Sequence, residues 1–233
     1  MSDETIHQGL DGVIVDTTAI SKVMPEINSL VYRGYPVQEL AEHCSFEEVA
    51  WLIWHGDLPN ATQLAEFQKT ERSQRDISRE LLAVIQKSPR TAHPMDVLRT
   101  AVSFLGMEDA ELATKSDAAT NLKRSVAMLA KIPTMVAAFY RLRKGQEFIP
   151  PHRGLSFAEN FFHMVFGKVP APEVVKAFDV SMVLYAEHGF NASTFTARVI
   201  VSSMADIYCG VVGGIASLKG PLHGGANEAV MHI

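Results

Sequence analysis

The sequence predicts a mainly α-helical fold with a short β-hairpin near its N-terminus. Three observations carry that prediction. Apolar residues recur at helical spacing over most of the chain from Pro36 onward. Several of these segments open on a capping residue and close on glycine, as with Ser45 and Gly56. β-Branched residues gather in residues 13–23, with a second short extended run at 30–33 and the polar Pro25–Glu26–Ile27–Asn28–Ser29 turn between them.

The helices follow in order. Pro36 suits a first helical position, where its missing N–H has no partner to lose. Ser45 with Glu48 three residues on is a capping box, and Phe46, Val49, Ala50 and Ile53 form the apolar stripe behind it. Asn60 with Gln63 repeats the signal for a charged helix over residues 61–75. Residues 78–87 carry Leu81, Leu82 and Ile85 on one side, and Pro89 ends them. His93 reads as a histidine satisfied at a helix N-terminus, ahead of a helix over 94–105 closed by Gly106. Residues 107–116 are polar and acidic, an exposed loop. Residues 117–144 form a long helical pattern that Pro133 should kink or split. Arg141, Arg143 and Lys144 crowd its C-terminal end, where cations suit the helix dipole. A Pro150–Pro151 loop then leads to residues 156–166, where Phe157, Phe161, Phe162 and Phe166 form a core stripe stopped by Gly167. Further helices are expected over 171–188, 192–204 and 205–218. Gly210 and Gly214 make a four-residue glycine step that permits a close helix crossing.

Composition narrows the function. The 233 residues are 47% hydrophobic and 20% charged, as in ordinary globular proteins. The net charge of −5 without a basic run argues against nucleic acid. No apolar run reaches 18 residues, so no membrane span is expected. Cys44 and Cys209 sit in apolar helical patterns and read as buried free thiols; with a polar, acidic N-terminus, this points to the cytoplasm. There is no P-loop, dinucleotide fingerprint or HExxH metal motif.

Residues 185–227 stand apart. His188 is followed by Gly189, Asn191 and Ser193, and His223 lies between Gly220–Pro221 and Gly224–Gly225. Glycine lets backbone and ligand approach closely, so such histidines can point into a cleft. Each also has a plain structural reading: His188 as a dipole partner at a helix end, the second phrase as a helix stop and turn. The phrases Gly220–Pro221–Leu222–His223–Gly224–Gly225–Ala226–Asn227–Glu228 and Ala186–Glu187–His188–Gly189–Phe190–Asn191–Ala192–Ser193 resemble the citrate synthase family. So do residues 32–59, 92–106 and 117–144. The histidine phrase is nearer the 2-methylcitrate synthase branch.

That resemblance implies condensation of an acyl-CoA with oxaloacetate, with propionyl-CoA or acetyl-CoA as co-substrate and no tightly bound cofactor or metal. It implies that His223 is catalytic at the thioester oxygen. His188, Asn191 and Ser193 then serve oxaloacetate. A positioned base and an oxygen donor are what so weak a C–H acid requires. It further implies a homodimer through residues 94–105 and 117–144, the second with Met128, Ile132, Met135 and Val136 on a wide apolar face. The expected layout is a tail and hairpin (1–35), a helical large-domain part (36–223) and the start of a truncated remainder (224–233). The family's catalytic aspartate, second carbonyl histidine and arginines have no counterpart motif here, and Asp96, Asp179 and Asp206 are poor substitutes. The chain alone is therefore expected to be inactive. Alternatives are an acetyl-CoA-using citrate synthase, a non-catalytic dimerisation module and a helical scaffold without ligand.

Overall fold

A computed structural model describes residue 14 and residues 16–225. The first eight residues, the start of the 13–23 run and residues 226–233 lie outside that range. The described residues are 62% helical, as the periodicity requires. The hairpin gains a third strand: β1 (Ser21–Met24), β2 (Ser29–Tyr32) and β3 (Tyr35–Pro36) form an antiparallel sheet in that order. Ser21 pairs with Tyr32 and Tyr32 with Tyr35. β1 starts at Ser21, so the described residues before it are not strand. A 3-10 turn, Pro25–Ile27, makes the connection, with Asn28 left-handed at φ 49°.

Ten helices follow among the described residues. Pro36 precedes α1 (Val37–His43) by one position and stays extended. Both capping boxes form, Ser45–Glu48 on α2 (Phe46–His55) and Asn60–Gln63 on α3 (Ala61–Ser73); Gly56 closes α2 at φ 92°. α4 (Arg79–Lys87) starts on Ser78. α5 (Pro94–Met107) starts on His93, whose Nδ1 accepts the Met95 amide at 3.2 Å. Gly106 does not stop α5. It lies buried inside the helix, where an added Cβ would sit 3.1 Å from the Tyr208 side chain.

α6 (Ala118–Arg143) runs unbroken through Pro133. One lost hydrogen bond is offset by packing on both sides, where Met128, Ala130, Thr134, Met135 and Phe139 are all buried. Arg141 caps the end by donating to the carbonyls of Glu147 and Val165. α7 (Phe157–Phe166) buries Phe157, but Phe166 is 52% exposed, so the aromatic stripe is only partly core. Phe161 and Phe162 meet Phe178 on α8 (Pro172–Leu184). α8 ends four residues before His188. α9 (Ala192–Ser202) and α10 (Ile207–Leu218) complete the set.

Two cores matter for the site. Leu81, Ile85, Val102, Met128, Met135, Phe139 and Ile215 join α4, α5, α6 and α10. Tyr32, Leu40, Val49, Leu52 and Val183 join the sheet, α1 and α2 to α8. Much of the α6 apolar face is thus spent within the chain. Cys44 is only half-buried and Cys209 is exposed, against the expectation of two buried thiols; neither forms a disulfide.

Candidate active site

The α9–α10 hairpin carries the site. Gly210 lies where a Cβ would come within 2.9 Å of Val201, and at Gly213 a Cβ would overlap the Ile200 terminal methyl. The small residues let the two helices touch, as the glycine step predicts, although Gly213 is tighter than Gly214. That close crossing brings Ser193, in the first turn of α9, against the end of α10. Its hydroxyl lies 2.9 Å from the Gly214 carbonyl and 2.8 Å from Nε2 of His223. Asn191 does not reach His223. Its Oδ1 accepts the Thr194 amide at 2.8 Å and so caps α9, the helix that presents Ser193.

His223 is half-buried in the turn after α10. Its amide donates to the Gly220 carbonyl at 3.0 Å, and the Gly225 amide donates to the same oxygen at 3.2 Å. Gly224 is required by the turn itself, because a Cβ there would run into the Leu218 carbonyl. Lys219 holds the turn to α5 by donating to Asp96 at 2.7 Å; that hydrogen bond keeps the Asp96 carboxyl below its usual range.

His188 is exposed, in the turn between α8 and α9, with Gly189 left-handed at φ 87°. Its ring has no hydrogen-bond partner among the described residues. No hydrogen bond joins it to His223. What links them is chain continuity: residues 188–193 run from one histidine to the serine that holds the other. Glu187, which the sequence reading passed over, accepts the amides of His188 at 3.0 Å and Gly189 at 2.6 Å.

The rejected carboxylates are all occupied. Asp96 pairs with Lys219 and Arg99, Asp179 accepts the Phe46 amide at 3.2 Å, and Asp206 caps α10 at the Cys209 amide. No group of three or more His, Cys, Asp or Glu suited to a metal occurs among the described residues. None of the described helices is long and apolar enough to cross a membrane.

Comparison with known proteins gives this geometry a context. The family described as "Citrate synthase, C-terminal domain" matches residues 9–233. A 2-methylcitrate synthase of Mycobacterium tuberculosis is 57% identical over 227 residues, covering 97% of this chain and 57% of the relative. A citrate synthase of Mycolicibacterium smegmatis is 59% identical, covering 97% of this chain and 60% of the relative. The chain thus spans about three-fifths of the length of these relatives. Among solved structures, citrate synthase from Thermoplasma acidophilum, in a ternary complex with carboxymethyl coenzyme A and oxaloacetate, superposes with a TM-score of 0.91 at 28% identity, over 97% of this chain and 59% of that one. Sequence match over nearly the whole chain and a shared fold agree, and the chain belongs to the citrate synthase family.

Proposed function

We propose that this chain supplies part of a site that condenses an acyl-CoA with oxaloacetate, with propionyl-CoA as the preferred donor, giving 2-methylcitrate and CoA. The observation that carries the reading is the 2.8 Å contact between Ser193 and His223. The serine hydroxyl has one proton and two acceptors in reach, the Gly214 carbonyl and His223 Nε2. The Gly214 carbonyl lies within a helix and does not depend on it. When the proton goes to Nε2, the neutral imidazole carries its own proton on Nδ1. Nδ1–H is then a donor for the oxygen that gains charge as the thioester enolises. His188, on a glycine turn and with no ring partner among the described residues, polarises the keto group of oxaloacetate. Asn191 contributes by fixing the first turn of α9.

Support for propionyl-CoA is the 57% identity to a 2-methylcitrate synthase; the similarly close relative called citrate synthase supports acetyl-CoA as the alternative. The unpaired Cys44 and Cys209 fit a reducing cytoplasm. We further propose a homodimer through α5 and α6. A cavity of about 250 Å³ between them, lined by Met95, Leu98, Ala101, Val136, Phe139 and Tyr140, supplies apolar surface for it. Residues 1–233 by themselves are proposed to be inactive, because Asp96, Asp179 and Asp206, the carboxylates weighed as a base for His223, are committed elsewhere.

The test is release of CoA thiol by the full-length gene product with oxaloacetate and either donor. Oxaloacetate-dependent release with a higher kcat/KM for propionyl-CoA is expected. Equal or higher kcat/KM for acetyl-CoA would favour the alternative, and no oxaloacetate-dependent release would refute the reading.

A further inference from the structure

The His188 turn is held from the N-terminal sheet. Glu187 folds its carboxylate back so that one oxygen, Oε1, accepts the His188 amide at 3.0 Å, the Gly189 amide at 2.6 Å and the Ser21 hydroxyl of β1 at 3.3 Å. On the other side, Tyr32 of β2 is fully buried, and its hydroxyl accepts the Glu187 amide at 3.4 Å. The same hydroxyl lies 3.1 Å from the carbonyls of Val183 and Leu184, either of which can take its proton. Those carbonyls belong to the last turn of α8, where helical partners run out. The sheet therefore satisfies the end of α8 and the start of the turn together. The His188 ring has no partner of its own among the described residues, so its direction is set by the backbone of this turn.

We infer that Glu187, braced by Ser21 and Tyr32, is the positioning residue for His188, so that the N-terminal sheet sets the geometry of oxaloacetate binding. This rests on the functional reading of His188 given above. Glu187 does not itself touch substrate in this scheme. It fixes two successive amides, with Gly189 at φ 87°, a conformation that the turn must keep for the imidazole to stay aimed. Charge-assisted hydrogen bonds to two adjacent amides are strong enough to select one turn conformation.

The experiment is steady-state kinetics on the full-length gene product, with KM measured separately for oxaloacetate and acyl-CoA, and thermal midpoints beside them. Glu187→Ala is expected to raise KM for oxaloacetate about tenfold, the size of losing these bonds at their net strength. KM for acyl-CoA and the thermal midpoint should stay close to the parent. Glu187→Gln keeps an acceptor oxygen and is expected to recover KM for oxaloacetate to within about threefold of the parent, on the same scale. An unchanged oxaloacetate KM in Glu187→Ala would overturn the inference. So would parallel loss in both KM values and in thermal midpoint, or a glutamine variant no better than alanine. A parent enzyme with no oxaloacetate-dependent turnover would instead remove the functional reading on which the inference stands.

Discussion

At the scale of single residues, the site depends on a few contacts that each do one job. In the proposed scheme the Ser193 hydroxyl, 2.8 Å from Nε2 of His223, leaves Nδ1–H for the thioester oxygen, so His223→Ala in the full-length gene product should lower kcat by about 10²–10³-fold, the cost of one lost oxyanion donor. CoA-release kinetics check it. The glycines separate into two kinds. At Gly213 the obstacle to a Cβ is the terminal methyl of Ile200, which can rotate away, and alanine gains up to about 1 kcal/mol of helix propensity. At Gly224 the obstacle is the Leu218 carbonyl, which can move only with the His223 turn. Gly213→Ala should therefore leave the urea midpoint nearly unchanged, whereas Gly224→Ala should lose activity in the CoA-release assay. Histidines flanked by glycine were legible in the sequence because their surroundings were odd. Glu187 was not, because an acidic residue beside a turn looks like any solvated charge until its oxygen is seen on two amides.

At the scale of elements, caps were legible and helix ends set by packing were not. Ser45 and Asn60 announce their helices by a local rule that needs only the next three residues. Gly106 was misread because tertiary packing overrides local preference: an added Cβ there would press on the Tyr208 side chain; at Pro133 the helix is not split, and the buried faces of α6 outweigh one lost hydrogen bond. The pair Glu71–Arg75 shows the same limit. Both are essentially inaccessible, 2.7 Å apart, and Arg75 also donates to the carbonyls of His152 and Leu155, pinning the loop before α7. Glu71→Ala leaves that guanidinium buried without its counter-charge and should cost about 3–5 kcal/mol. Urea unfolding followed by circular dichroism measures it.

At the scale of the whole molecule, acid stability follows from the depressed carboxylates. A hydrogen bond from Arg124 holds Asp109 below its usual range, and one from Lys219 does so for Asp96. Groups with lowered folded pKa contribute their stability above the unfolded value, about 3.9 for Asp, and lose it as pH falls through the folded one. Burial pushes Glu47 the other way, so its contribution fades as pH rises. The urea midpoint should thus drop below about pH 4, and Asp109→Asn should flatten that drop. The mainly helical class was legible from periodicity across the chain. The third strand was not, since β3 is only Tyr35–Pro36 and has no pattern of its own.

The central claim is that His223, tuned by Ser193, serves the condensation of acyl-CoA with oxaloacetate. The most direct measurement is oxaloacetate-dependent CoA release by the full-length gene product and its Ser193→Ala variant across pH. Turnover is expected in the parent, with a fall of at least about tenfold in kcat for the variant, the scale of a misplaced proton donor. A variant that matches the parent in kcat and in pH profile would contradict it.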